Sequence, residues 1–77
     1  MMDAEEVQKI VSQTFPAAEV TVMDMTGTQD HFEVTVLWEG FRGKSLIQQH
    51  KMVHEALAGA LEDGRIHAVK IKTFAPT

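Results

Sequence analysis

Cysteine is absent from this chain of 77 residues, and so is any long apolar run. Without cysteine there is no disulfide, no thiolate nucleophile and no thiolate metal ligand, so metal chemistry has to rest on histidine or carboxylate. No segment approaches the roughly 20 apolar residues that cross a bilayer. The N-terminal MMDAEEVQK is acidic where a secretory signal is basic and then apolar. A cytoplasmic protein without a membrane role is expected. Also missing are a G-x-S-x-G turn, a phosphate loop and a carboxylate pair set in apolar surroundings. No nucleophile, base and orienter can be assembled from what remains, and catalysis is not expected.

What is present fits one small globular unit. A chain this short buries only about 60% of its unfolded surface, so residues 1–77 are read as a single domain, monomeric when alone. Apolar residues make up 44% and charged residues 23%, away from the disordered and membrane classes. The formal charge of −4 argues against indiscriminate nucleic-acid binding, yet the halves differ. Residues 1–39 carry eight acids against Lys9, a net −7. Residues 40–77 carry Arg42, Lys44, Lys51, Arg65, Lys70 and Lys72 against three acids, a net +3. The C-terminal half is therefore the candidate binding half.

Asp3 followed by Glu6 reads as a capping box, and Val7, Ile10, Val11 and Phe15 fall at helical spacing until Pro16, predicting a helix over 3–14. Val20 and Val22 alternate with polar neighbours, as do Phe32, Val34, Val36 and Trp38, predicting a strand hairpin. Its connection, Asp24 to Asp30 with Gly27 inside, is expected to be exposed and mobile. After Trp38, EGFRGK breaks the strand. Ser45 and Gln48 form a second capping box, opening a helix whose stripe is Leu46, His50, Val53, Leu57 and Leu61. Gly64 supplies a left-handed stop, and a third strand spans Ile66 to Phe74. The order helix, strand, strand, helix, strand requires a crossover between the last two strands, which makes them parallel and puts both helices on one face. The expected fold is a two-layer α+β sandwich with a three-stranded mixed sheet.

Phe41 and Gly43 in an F-x-G turn, His50-Lys51 inside the helix, and the strand Ile66-His67-Ala68 through Thr73 together resemble the BolA family. The resemblance implies a fold like class II KH domains, with a short 3-10 turn near residues 45–50. In the family a short helix with a T-P-x-x-W pattern follows the strand, and Phe74, Ala75, Pro76 and Thr77 offer no match to it. The resemblance also implies a non-enzymatic adaptor in iron-sulfur trafficking and iron homeostasis. Its partner would be a monothiol glutaredoxin, and together with glutathione the two would share a [2Fe-2S] cluster that the isolated chain lacks. His67 occupies the ligand position of the h-H-A motif, and His31 or another group would complete the set. Some members are DNA-binding regulators, which leaves an alternative through the second helix and the GFRG turn.

Other residues carry competing readings. His67 alone, at the edge of a strand, is more often an ordinary strand-end histidine than a ligand. His50 and His54 lie four apart on one side of a helix, as in an H-x-x-x-H metal pair. The apolar stripe favours a packed His50 with one satisfied nitrogen. Gly40-Phe41-Arg42-Gly43 matches the GXXG of KH domains literally but leaves a strand, and a turn with a buried aromatic anchor is the better reading. Met23, Met25 and Met52 are read as packing residues. Arg42, Gly43, Lys44, Lys51, Arg65 and Lys70 are the candidates for a basic rim that meets a partner or nucleic acid.

Overall fold

The computed structural model describes residues 2–25, 27 and 31–76. Helix α1 runs Ala4–Thr14 behind the expected cap: the Glu6 backbone N–H donates to the Asp3 carboxylate at 2.8 Å and the Asp3 N–H returns to the Glu6 carboxylate. It turns Val7 and Val11 into the core. Past Pro16 the chain enters β1 (Glu19–Asp24), then β2 (His31–Leu37), paired antiparallel with Val20 opposite Val36 and Val22 opposite Val34. The predicted hairpin tip falls largely on Thr26, Thr28, Gln29 and Asp30, which lie outside the described residues.

The last strand, β3 (Ala68–Phe74), pairs parallel with β2, giving the sheet order β1-β2-β3. This is the expected mixed sheet. Val20, Phe32, Val34 and Val36 are buried on its inner face, against Val7, Val11 and Phe15 at the first helix and Val53 and Leu57 at the second. The alternate residues Glu19, Thr21, Met23 and His31 are exposed, because side chains switch faces at each step of a strand. One face is covered by helices and the other is open.

Four details differ from the sequence reading. The strand starts at Ala68 rather than Ile66: Ile66 is buried in the preceding bend, where its N–H donates to the Ala60 carbonyl at 3.1 Å. The 3-10 turn sits at Glu39–Phe41, before the second helix rather than inside it. That helix breaks at Leu57 into α2 (Leu46–Ala56) and α3 (Ala58–Glu62), an offset that lets Leu57 and Ala60 both reach the core. Leu46, the expected start of the apolar stripe, is 60% exposed and lies outside the core.

Thr73 is the one buried polar side chain among the described residues. Its hydroxyl donates to the Gln49 amide oxygen at 2.6 Å, and the Gln49 amide nitrogen donates to the Lys44 carbonyl at 2.9 Å. The pair ties β3 to α2 and to the turn before it. Thr73→Val keeps the volume and strands the Gln49 oxygen, so it is expected to cost about 1–2 kcal/mol. Urea unfolding should show a lower midpoint with an unchanged slope.

Candidate metal and partner site

The parallel register places His31 opposite Ala68, so the starts of β2 and β3 lie at the same end of the sheet. His67, in the bend just before β3, therefore meets His31: their ring centroids are 6.4 Å apart and the rings are inclined at 67°. Both side chains are exposed. Behind His67 the backbone is fixed by buried Ile66 and by Gly64, whose φ of +82° makes the sharp exit from α3. A shallow hollow of about 380 Å³, lined by Met25, His31, Phe32, Ala68, Val69 and Lys70, adjoins the pair. Two imidazoles on rigid strand starts can supply two nitrogen donors, half of a tetrahedral set. No group of three or more histidine, cysteine or acidic side chains able to hold a metal occurs among the described residues.

The basic candidates do not form one rim. Lys70 lies beside His31 on the open face, Lys51 lies in the helical layer along a groove against β3, and Lys44 follows the 3-10 turn. Arg65 is held by Asp63 at 2.8 Å. Lys44, Lys51 and Lys70 hold no ion pair among the described residues. On the open face Lys72 donates to Glu33 at 2.9 Å. This hydrogen bond is the main cause that holds the Glu33 carboxyl below its ordinary value of 4.5; partial burial opposes it, and the charges of Lys72 and Lys70 add to it.

A carboxyl whose pKa is lower folded than unfolded favours the fold when ionised. The Glu33 contribution is therefore full above 4.5 and is lost as pH falls through the lowered folded value. Glu33→Gln is expected to lower the neutral plateau slightly and to converge with the parent at the acid end, so that its acid limb is flatter. Thermal unfolding across pH checks this.

The GFRG segment is a turn, with Phe41 buried and Gly43 at φ +82°. Arg42 faces inward along the surface: its Nε and Nη2 donate to the two Glu39 carboxylate oxygens at 2.7 and 3.0 Å, and Nη2 also reaches the Pro76 carbonyl. Its guanidinium is engaged by the chain itself. Gly43 presents no amide cradle between helices of the kind that a KH loop needs, since a 3-10 turn precedes it.

Residues 7–77 match the family model described as BolA-like protein. The chain belongs to the BolA family. An uncharacterised protein of Rickettsia prowazekii is 38% identical over 73 residues, covering 95% of this chain and 94% of that protein. The acid stress protein IbaG of Escherichia coli is 33% identical over 75 residues, covering 97% and 86%. The solution structure of a BolA-like protein from R. prowazekii, 37% identical, superposes with a TM-score of 0.74 over 99% of this chain and 97% of that one. BolA1 of Arabidopsis thaliana, 23% identical, shares the fold with a TM-score of 0.85, covering 99% and 95%.

Two side-chain placements in this BolA-family chain depart from the sequence reading. Met23 and Met25 are exposed rather than packed, and Met25 borders the hollow beside His31. His50 is half-buried rather than packed in the core, and it shares a groove of about 530 Å³ between α2 and β3 with His54, Ile47, Lys51, Val69 and Ile71. The apolar stripe misplaced His50 because it ran from Leu46, which is not in the core. No helix among the described residues is long and apolar enough to cross a membrane.

Proposed function

We propose that this chain is a cytosolic, non-enzymatic adaptor that binds a monothiol glutaredoxin and, with that partner and glutathione, holds a shared [2Fe-2S] cluster. The observation that carries this reading is the convergence of His31 and His67, exposed and 6.4 Å apart on two adjoining strand starts. The residues fit the group. Side-chain rotation alone can bring two imidazoles at this distance toward one iron, and a chain without cysteine leaves the thiolate ligands to the partner and glutathione. When bound, such a cluster supplies a transferable redox centre, and imidazole in place of thiolate removes negative charge and raises its potential.

His67 and His31 are the nitrogen donors in this scheme. The buried Ile66 anchor and the β2–β3 ladder fix where they project, so binding needs little backbone ordering. Lys70 and Arg65, nearest to the pair in the sheet and in sequence, meet the acidic surface of the partner and steer its approach. The alternative of DNA binding through the GFRG turn gains no support from a turn whose arginine is tied to Glu39 and Pro76.

Anaerobic reconstitution of the cluster on a monothiol glutaredoxin with glutathione, titrated with this chain and followed by visible circular dichroism, tests the reading. A new cluster spectrum saturating at one chain per glutaredoxin is expected. His67→Ala should abolish it and His31→Ala should weaken it. A spectrum that never departs from that of the glutaredoxin alone sinks the proposal.

A further inference from the structure

We propose that His50 and His54 form a second metal site, a two-imidazole chelate for a divalent transition ion such as Zn²⁺ or Cu²⁺, opening onto the groove between α2 and β3. This inference does not depend on the adaptor reading. Residues four apart on a helix project from successive turns on one side, with Cβ atoms roughly 5–6 Å apart. Here both imidazoles line the same groove. That spacing lets one ion reach a nitrogen of each ring.

Neither ring is committed elsewhere. The imidazoles of His50 and His54 make no hydrogen bond or ion pair among the described residues. No buried side-chain nitrogen or oxygen among them lacks a partner, so the nitrogens of half-buried His50 remain open to solvent. The scaffold beneath is rigid. Ser45 and Gln48 cap α2 reciprocally, and Val53 and Leu57 fix its inner face in the core. Such preorganisation lowers the ordering cost that makes a two-ligand site weak.

The surroundings set the kind of ion. Imidazole favours Zn²⁺, Cu²⁺ and Ni²⁺ over Mg²⁺ and Ca²⁺, which take oxygen ligands. Ile47, Val69 and Ile71 make the groove walls apolar, Glu55 lies at its rim as a carboxylate, and Lys51 opposes cations there. Two protein nitrogens leave coordination positions for water or for a donor from a second molecule. The site is distinct from the His31 and His67 pair. Val69 and Ile71 point to the helical layer, whereas His31 and its register partner Ala68 point to the open face.

The test uses the full chain carrying His31→Gln and His67→Gln, which removes the other histidine pair. Zn²⁺ is titrated by calorimetry, and the imidazole proton and carbon resonances are followed by NMR. One equivalent should bind, with the His50 and His54 rings shifting together and Mg²⁺ inert. Since losing one arm of a chelate removes the intramolecular advantage, His54→Gln in that background should weaken binding at least about tenfold. His54 is exposed, so this variant should keep the far-ultraviolet circular dichroism of its parent. Unchanged Zn²⁺ affinity in His54→Gln, or a shift of only one of the two rings, overturns the proposal.

Discussion

Replacing Phe41 by alanine is expected to lower the stability of the domain by about 3–5 kcal/mol. The side chain is fully buried, and its ring meets Trp38 edge-on at 5.2 Å and Phe15 at 5.5 Å. Phe15 in turn meets Trp38 at 5.0 Å, so the three rings close on one another. Truncation would open a cavity at their centre, bordered by aromatic groups too stiff to collapse into it. A domain of this length has a total stability of roughly 4–12 kcal/mol. The variant should therefore lose at least about a quarter of that stability and unfold at a clearly lower urea midpoint.

The consequence reaches α2, because the Phe41 carbonyl accepts from the Lys44 N–H at 3.0 Å and the turn ends two residues before the Ser45 cap. Phe41→Leu refills most of the space and should cost less than about 1.5 kcal/mol. Urea unfolding of the two variants checks the ordering. Equal losses would mean that refilling apolar volume recovers nothing and that the ring contacts carry the whole effect.

The parts of this architecture that were legible in the sequence are those decided by local chemistry. Asp3 with Glu6 and Ser45 with Gln48 each satisfy orphan amides within one turn, so the capping pattern located both helix starts. Alternation in β1 and β2 and the left-handed Gly64 were equally local. What escaped was set by tertiary geometry. Leu46 has helical spacing with Val53 and Leu57 but stays outside the core, which no periodicity reports. Ile66 has a strand-forming side chain, yet its amide goes to Ala60 rather than into the ladder.

The candidate site shows the same division. His67 and His31 could each be placed at a strand start, but their meeting depends on the His31 to Ala68 register, a property of strands distant in sequence. Arg42 was read as an exposed cation because neither the Glu39 pairing across the 3-10 turn nor the approach of Pro76 is visible without the fold. Charge in the C-terminal half pointed to a binding surface, whereas the structure distributes that charge over both layers. A partner meeting His31 and His67 would therefore encounter Lys70 and Arg65 but not Lys51.

Gly40→Ala is expected to cost about 1–3 kcal/mol, and Gly40 is the one glycine among the described residues at which an added Cβ meets other atoms within 4 Å. A Cβ on Gly40 would stand 2.4–2.6 Å from three carbons of the Trp38 six-membered ring, well inside contact distance. The indole cannot swing away cheaply. Its Nε1 donates to the Pro16 carbonyl at 3.0 Å, and its ring is held between Phe15 and Phe41. Displacement would break that hydrogen bond and loosen the link between the end of α1 and the turn after β2. Gly43→Ala is the discriminating comparison: its new Cβ meets nothing, and its cost of about 1–2 kcal/mol arises only from the left-handed φ of +82°. Tryptophan fluorescence should shift to the red in Gly40→Ala and stay unchanged in Gly43→Ala. If the indole is the obstacle, Gly40→Ala should cost much less in a Trp38→Leu background, and additive losses in that double-mutant cycle would show that the damage at Gly40 has another origin.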